Sequence, residues 1–546
     1  MSLHLYPTNA PQKLGFDQII TRLYELCLSN LGQSRVETLE FATDADVVAS
    51  RQAQAGAFAQ ILASDEHFPT DHYYDLSDPL ELLSIDNSAI PKEELYKVMQ
   101  VVRTVRDILT FFDKSKGAYP ELEMLADQVI YDKRILKDLE RVLDEEGEVK
   151  SSVSKMLKDI RKQINQKASE LDKQFQRELE AAQRKGWLSE EGESIRHGRR
   201  VLAVSAVHKK QVRGYIHDES TTGKTLFIEP QATATISNEI FELRQEEKQE
   251  VYRILREVTD KIRPFREYLA GYQTLLAKLD FIRAKAMLGR ELDAQQPIIT
   301  KQPEIALDGA VHPMLYRHNQ ASGQRTVPLS LTLTPDKGIL VISGPNAGGK
   351  SVAMKTMGLL QMMAQAGLLV PASATSRIGI FRSLFVDIGD DQSIENDLST
   401  YSSHLRNMKY FTDWSDSHTL FLVDEMGTGT DPELGGPIAE AILEQLNEQQ
   451  AMGIVTTHYT NLKLYATEQP RLENGSMIFD KETLTPTYEL AVGTPGSSYS
   501  FEVARNIGFQ DAILQKAEQK VKREYQQLDE LLSELEKSQY ATKQKD

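Results

Sequence analysis

The sequence predicts a multidomain chain with α and α/β parts. We expect a helical core with long coiled-coil lever arms and a small β-rich clamp tip, followed by an α/β domain built around a phosphate loop. Two observations predict this. A strand-like run at 339–343 leads through a glycine-rich loop into a helix-like segment. Polar stretches of helical periodicity flank residues 186–230, where short alternating apolar runs indicate strands.

The glycine-rich loop, GPNAGGKS at 344–351, has the spacing G-x-x-x-x-G-K-S. Such a loop turns backbone N–H groups toward phosphates at the positive end of a helix. We expect Lys350 to reach the β- and γ-phosphates and Ser351 to bind Mg²⁺. The cofactors predicted are therefore ATP and Mg²⁺. The expected ATP-binding residues are Gly344, Pro345, Asn346, Ala347, Gly348, Gly349, Lys350, Ser351 and Val352.

A second motif, LFLVDE at 420–425, places two acids after an apolar run. The carboxyl end of a buried strand is where open α/β sheets bind ligands. Asp424 is predicted to hold Mg²⁺, directly or through water, and Glu425 to polarise the attacking water. By itself the segment would more often be an acidic turn after a buried strand, but Asp424 lies 74 residues after Lys350 of the phosphate loop.

Two further segments are candidate parts of the same site. In DLSTYSSHLRNM at 397–408, Ser399 or Thr400 begins a helix and would donate to a γ-phosphate across a subunit interface. Without the other motifs it would be an ordinary helix cap. In IVTTHY at 454–459, His458 is predicted to sense or orient water. Gln392 is a weaker candidate for reporting the nucleotide state.

The predicted domains follow these patterns. The economical arrangement is two long antiparallel helices carrying the β-tip at their far end, with Pro264 interrupting the second; two unconnected helical domains are the alternative. The predicted ranges are a helical core at 1–120, an ascending lever helix at 121–185, the clamp tip at 186–235, a returning lever helix and core at 236–300, an ABC-type ATPase domain at 301–510 and a truncated helical tail at 511–546.

The clamp tip is the candidate nucleic-acid site. Between Ser194 and His217 there is no Asp or Glu, although the whole chain has a net charge of −17. Clustered cations neutralise backbone phosphates of any base sequence. A solvated cationic face is the alternative. The predicted contacts are Arg196, Arg199, Arg200, Lys209, Lys210 and Arg213.

Composition limits the remaining classes of protein. The net charge of −17 argues against a uniformly basic nucleic-acid coat. A single cysteine, Cys27, allows no internal disulfide and indicates a reducing compartment. No apolar run approaches the roughly 18 residues of a membrane span, and the first residues do not resemble a secretory signal. We therefore expect a cytoplasmic protein with no membrane partner.

Together these motifs resemble the MutS family of DNA-repair ATPases. GPNAGGKS, DLSTYSSHL, LVDEMGTGTDP and TTHY occur in the family's order and approximate spacing. KTMGLLQMMAQAGLLVPA, DIGDDQSIE, IHDESTTGKTLFIEP and VGTPGSSYSFEVA resemble its type-two bacterial branch, so the likeness covers roughly residues 10–510. The resemblance implies that Ser399 acts at the neighbouring subunit's γ-phosphate, that Glu425 is the catalytic acid/base, and that His458 lies beside them.

The resemblance also implies a function. It implies a homodimeric clamp that binds branched or double-stranded DNA without sequence specificity, hydrolyses ATP and suppresses homologous recombination. The alternative from the same branch is a ribosome-binding ATPase that splits collided ribosomes. A chromosome-maintenance coiled-coil ATPase is a third possibility, which arms of about 60 residues disfavour. We expect no mismatch-reading domain before the core and no Smr nuclease domain, hence no DNA cleavage by this chain.

Overall fold

The computed structural model describes residues 2–345, 348–389, 400–480, 485–496 and 500–520. The chain forms a mixed α/β structure with two units. Unit 1 contains Met1–Phe68, Phe111–Gln128 and Leu276–Asp546, and unit 2 contains Pro69–Thr110 and Val129–Leu275. Among the described residues, none of the helices has both the length and the apolarity that a bilayer crossing requires.

The helices are numbered in chain order. They are α1 (Ala10–Leu14), α2 (Phe16–Leu26), α3 (Asn30–Glu37), α4 (Ala45–Ala63), α5 (Ser77–Leu83), α6 (Lys92–Lys114), α7 (Pro120–Ala126), α8 (Lys133–Val142), α9 (Lys155–Arg184), α10 (Gln231–Ile262), α11 (Arg266–Glu291), α12 (Pro313–Ser322), α13 (Lys350–Gln365), α14 (Thr400–Trp414), α15 (Pro432–Glu448), α16 (Thr460–Glu468), α17 (Ser500–Ile507) and α18 (Asp511–Glu518).

The strands form three sheets. They are β1 (His4–Tyr6), β2 (Leu188–Arg196), β3 (Arg199–Ser205), β4 (Gly214–Glu219), β5 (Thr225–Pro230), β6 (Ile298–Thr300), β7 (Ile305–Ala310), β8 (Leu329–Leu333), β9 (Ile339–Ser343), β10 (Arg377–Gly379), β11 (Ser383–Asp387), β12 (Thr419–Val423), β13 (Met452–Thr456), β14 (Leu472–Asp480) and β15 (Thr485–Val492). The strand orders are β1-β11-β12-β13-β9-β14-β15, β6-β10-β7-β8 and β2-β3-β5-β4.

The seven-stranded sheet of unit 1 is parallel except for β15. Its central strands are buried on both faces, so they are continuous apolar runs. Because alternate residues point to opposite faces, Leu340 and Ile342 join one apolar cluster, which includes α13, while Ile339 and Val341 join a second, which includes α15. The sheet is therefore held between two layers of helices, and its carboxyl edge stays available for a site.

In unit 2, α9 and α10 run antiparallel. Ion pairs join Arg161 to Glu247 and Lys167 to Glu239, so residues later in α9 contact residues earlier in α10. The N-cap of α9, Ser154, donates to the buried carboxylate of Glu250 on α10. Three strands were predicted between the helices, and the four-stranded antiparallel sheet β2–β5, named the tip sheet below, occupies this segment.

The helices differ from the prediction in one region and agree with it in another. Residues 121–185 do not form one helix, since α7, α8 and α9 follow one another there. Asp132 caps α8, Gly147 makes a left-handed turn and Ser154 caps α9, so each break has its own polar signal. Between α10 and α11, Arg263–Phe265 form a 3-10 turn around Pro264, as predicted.

Candidate active site and nucleic-acid interface

The phosphate loop lies between β9 and α13. Gly344 has φ 123° and Gly349, the N-cap of α13, has φ 96°, a region that glycine tolerates and other residues rarely adopt. A Cβ on Gly349 would also lie 3.3 Å from Cδ1 of Tyr488. The loop therefore needs glycine at both positions. Of the predicted loop residues, Asn346 and Ala347 lie outside the described residues.

Lys350 is the first residue of α13, and its side chain lies almost completely inside the loop. Its Nζ donates to the carbonyl oxygens of Gly344 at 2.7 Å and Pro345 at 3.1 Å. Burial lowers the pKa of Lys350 to about 8, although the nearby carboxylates of Glu425 and Asp424 act in the opposite direction. The loop thus surrounds the ammonium group of Lys350 with carbonyl oxygens in place of water.

Asp424 and Glu425 follow β12, and one threonine on the neighbouring strand holds both. Thr456 Oγ1 donates to Asp424 Oδ1 at 2.5 Å and accepts a hydrogen bond from the Glu425 N–H at 2.8 Å. Glu425 has φ 52°, a conformation that non-glycine residues adopt mainly at strained functional turns. Its side chain is exposed. The sequence did not indicate Thr456 as a site residue, although Thr456 lies in the strand end IVTTHY at 454–459.

His458 lies beside Lys350. Its Nε2 is 3.4 Å from the Lys350 Nζ. Burial, together with the charges of Lys350 and Lys463, lowers the pKa of His458 to about 4. Near neutral pH the imidazole is therefore uncharged, and it can orient water but cannot supply a positive charge.

The residues present fit a magnesium ion. The Ser351 hydroxyl is on the second residue of α13, and Asp424 Oδ2 accepts no hydrogen bond within the described residues. Among those residues, no cluster of three His, Cys, Asp or Glu could bind a metal by itself. Mg²⁺ commonly uses one or two protein ligands together with waters and substrate phosphates. Such a sparse ligand set suits an ion that arrives with ATP.

The predicted trans-acting segment is only partly described. Ser399 and Gln392 lie outside the described residues, and Thr400 is the first residue of α14. The loop after Glu425 approaches this helix, since a Cβ on Gly429 would lie 3.3 Å from Cβ of Tyr401.

Val352, which was predicted to bind ATP at the phosphate loop, is exposed. Among the described residues, the elements of the predicted site therefore converge on one edge of the sheet.

The six predicted tip cations divide into two groups. The three arginines have acidic partners: Arg196 pairs with Asp218, Arg199 with the buried Glu229, and Arg200 with Asp172 and Glu193. Arg196 and Arg200 also lie over the rings of Phe227 and Phe175. These arginines hold the tip sheet together and are largely neutralised.

The other three cations are exposed. Lys209, Lys210 and Arg213 lie in the connection between β3 and β4, and their side chains have no ion-pair or hydrogen-bond partner in the part of the chain that the structure describes. Around them Val207, Tyr215 and Ile216 are exposed by 85%, 60% and 58%. The connection and the start of β4 thus present free positive charge and apolar surface together.

Comparison with known proteins agrees with this architecture. The family model described as MutS domain V matches residues 340–524. The chain is 37% identical over 527 residues to "Endonuclease MutS2" of Carboxydothermus hydrogenoformans, covering 96% of this chain and 66% of the relative. It is 33% identical over 536 residues to "Endonuclease MutS2" of Ligilactobacillus salivarius, covering 98% and 67%.

The fold and the phosphate loop thus define a multidomain α/β protein of the MutS type. More narrowly, the chain belongs to the MutS2 family. The resemblance to the type-two branch is confirmed. The chain spans about two thirds of the length of these relatives.

Proposed function

We propose that this chain is an ATP-hydrolysing clamp protein of the MutS type that acts on nucleic acid as a homodimer. The observation that carries the proposal is the convergence of Lys350, Asp424, Glu425 and His458 on one edge of a parallel sheet, beside a phosphate loop. Open α/β sheets bind their ligands at this edge.

Each residue has a separate role in hydrolysis. Lys350 would exchange the carbonyls of Gly344 and Pro345 for the β- and γ-phosphates. Ser351 and Asp424 would hold Mg²⁺, which supplies charge neutralisation at the phosphates when bound. Glu425 accepts the proton of the attacking water, and the neutral His458 orients that water. Thr456 keeps the Glu425 backbone in its left-handed turn.

A second copy of the chain would complete each site. Glu425 is exposed, and α15, which follows its loop, exposes Leu434 by 67% and Ile438 by 44%. A catalytic base open to solvent beside an apolar helix face supports coverage by another protein surface. Under this proposal Ser399 and Thr400 of each copy donate to the γ-phosphate in the other.

Branched DNA is the proposed substrate, with suppression of homologous recombination as the outcome. The antiparallel pair α9 and α10 would act as a lever arm, and the tip sheet would close around DNA through Lys209, Lys210 and Arg213. Contacts of this kind bind backbone phosphates and ignore base sequence. ATP would control closure only by binding open and closed forms with different affinity.

One observation favours the ribosome as a second candidate substrate. Val207, Tyr215 and Ile216 are exposed beside the tip cations. A duplex backbone offers charge and polar atoms, whereas a ribosome also offers protein surface and unstacked RNA bases. A mixed basic and apolar tip is therefore compatible with collided ribosomes, which ATP hydrolysis would split.

Competition binding tests the proposal. The purified chain is titrated onto a labelled four-way DNA junction at near-physiological salt, with ATP, with ADP or with neither, and ribosomes serve as competitor. Nucleotide-dependent junction binding that ribosomes do not displace would support the DNA clamp. Weak, nucleotide-independent binding that ribosomes abolish would favour the second candidate. The absence of binding to both would reject the nucleic-acid clamp.

A further inference from the structure

Asp387, the last residue of β11, carries a carboxylate that the hydrolysis mechanism above does not use. Its side chain is 3% exposed. Oδ2 lies 2.7 Å from Nδ1 of His404, and Oδ1 accepts a hydrogen bond from Nδ2 of Asn407 at 2.8 Å. His404 and Asn407 are three residues apart on α14, so they lie on the same face of that helix. One buried carboxylate thus binds two successive turns of α14.

The main chain of Asp387 reaches the candidate magnesium ligand. Its carbonyl oxygen accepts a hydrogen bond from the Asp424 N–H at 2.9 Å, where β11 and β12 run parallel. The side chain of Asp387 therefore contacts the helix that begins at Thr400, while its backbone contacts the strand end that carries Asp424 and Glu425.

The N-terminal strand braces the same helix. Tyr6 OH donates to Asn407 Oδ1 at 3.2 Å, and the Tyr6 ring stacks on Tyr410 with centroids 3.6 Å apart. Tyr6 lies on β1, which pairs with β11. Asn407 therefore uses its amide nitrogen on Asp387 and its amide oxygen on Tyr6. Rotation or sliding of α14 would break these bonds and leave a buried carboxylate without donors, which is costly.

This arrangement holds the first turns of α14 against β11. His404 is four residues after Thr400, about one helical turn away, so the position of His404 constrains the helix start closely. We propose that Asp387, acting through His404 and Asn407, is a positioning residue that sets the start of α14 for donation to the neighbouring subunit's γ-phosphate. The inference rests on the proposed shared site, in which Ser399 and Thr400 act across the dimer.

A mixed-dimer experiment tests it. One subunit carries Lys350→Ala and cannot bind ATP productively, but it supplies an intact α14; the other carries Ser399→Ala and supplies an intact phosphate loop. The Lys350→Ala homodimer should be inactive, the Ser399→Ala homodimer should turn over about tenfold or more slowly than wild type, and mixing should restore one working site per heterodimer. If mixing restores no turnover, the shared site is wrong and the role of Asp387 falls with it, before any Asp387 variant is used.

Asp387→Asn is then introduced into either subunit. It removes the carboxylate but keeps the main-chain bond to Asp424. We expect turnover to fall about tenfold or more when the variant is in the α14-donating subunit, because small misplacements of a catalytic contact are expensive. We expect less than about a twofold change when it is in the ATP-binding subunit.

Comparing turnover with Asp387→Asn in one subunit or in the other distinguishes a positioning role from a purely structural one. An equal loss in both placements, a loss only in the ATP-binding subunit, or no loss in either would overturn the proposal. Asp413→Asn, an exposed acid on the same helix, is the matched control and should change nothing. If Asp387→Asn fails to fold, as judged by thermal melting, His404→Phe keeps the ring, removes the bond to Asp387 and is compared in the same two placements.

Discussion

Nζ of Lys350 lies 3.4 Å from Nε2 of His458, and burial shifts the pKa values of both groups downward. With pKa values of about 8 and about 4, the pair carries a single positive charge near neutral pH, on Lys350. A neutral ring that accepts a hydrogen bond from Lys350 through Nε2 carries its proton on Nδ1. His458 therefore offers hydrogen bonds without competing for the phosphates.

ATP affinity should depend on pH through Lys350. Its pKa of about 8 means that the free protein loses this charge as the pH rises above 8. Bound phosphates favour the ammonium form, so binding above pH 8 must take up a proton, and Kd should rise by up to about tenfold per pH unit. Below pH 8 this group should cause no change. Titration with a fluorescent ATP analogue from pH 7 to 9.5 measures it.

Lys350→Arg is the control for this titration, since arginine stays charged throughout the range. The ATP affinity of the Lys350→Arg variant should not change with pH, whatever its absolute value. A wild-type Kd that is equally flat to pH 9.5 would show that the low pKa of Lys350 does not govern binding.

Glu425→Gln should separate ATP binding from hydrolysis. Glutamine keeps the size and the backbone bond to Thr456 but cannot accept the proton of water. We expect turnover to fall by about 10² to 10⁴ with ATP affinity within about threefold of wild type. Phosphate release and equilibrium binding measure the two quantities. Glu444→Gln, an exposed acid on α15, should leave both unchanged; normal turnover by Glu425→Gln would remove that residue from the catalytic role.

Ser399→Ala should reduce turnover and leave ATP binding nearly intact, because the hydroxyl is proposed to act across the dimer. The expected loss is about tenfold or more, the usual scale for one donor to developing charge. The turnover rate of wild type should also rise with protein concentration as dimers form. An unchanged rate in Ser399→Ala would reject this serine as the trans-acting donor.

Charge reversal at the tip should weaken nucleic-acid binding for all base sequences. Lys209→Glu combined with Lys210→Glu removes two free cations, so the slope of log affinity against log salt should fall by about 2. The matched control is Lys114→Glu with Lys116→Glu, two exposed lysines of unit 1. Binding isotherms from 50 to 300 mM salt measure the slope. If only the control pair changed it, the contact would lie outside the tip.

Stability of unit 1 should depend on Asp280. This buried carboxylate accepts hydrogen bonds from the N–H groups of Leu28 and Ser29 and from the Ser29 hydroxyl. Asp280→Ala leaves these donors unsatisfied and should lower the free energy of unfolding by about 3 kcal/mol. Denaturant unfolding measures the loss, with the exposed Asp113→Ala as the control. A loss below about 1 kcal/mol would mean that water replaces the carboxylate.

Much of the candidate site could be predicted from sequence because its determinants are local. Gly344, Lys350 and Ser351 belong to one loop. Glu425 follows an apolar strand that can be recognised without knowledge of its distant contacts. The strand pattern of the tip was visible for the same reason. β2 was missed because LSEEGESIR is mostly polar and becomes a strand only by pairing with β3.

Long-range contacts decided the rest. The sequence alone determined the phosphate loop, the acidic strand end, the helical and α/β segments and the positive tip, since each follows from spacing within a few residues. Only the tertiary structure decided that β1 joins the seven-stranded sheet, that Thr456 holds Glu425, and that Asp387 binds His404. It also separated the paired tip arginines from the free lysines. The burial of a side chain and the residues that it contacts depend on which distant segments the fold brings together. The spacing of residues within a short segment does not contain this information.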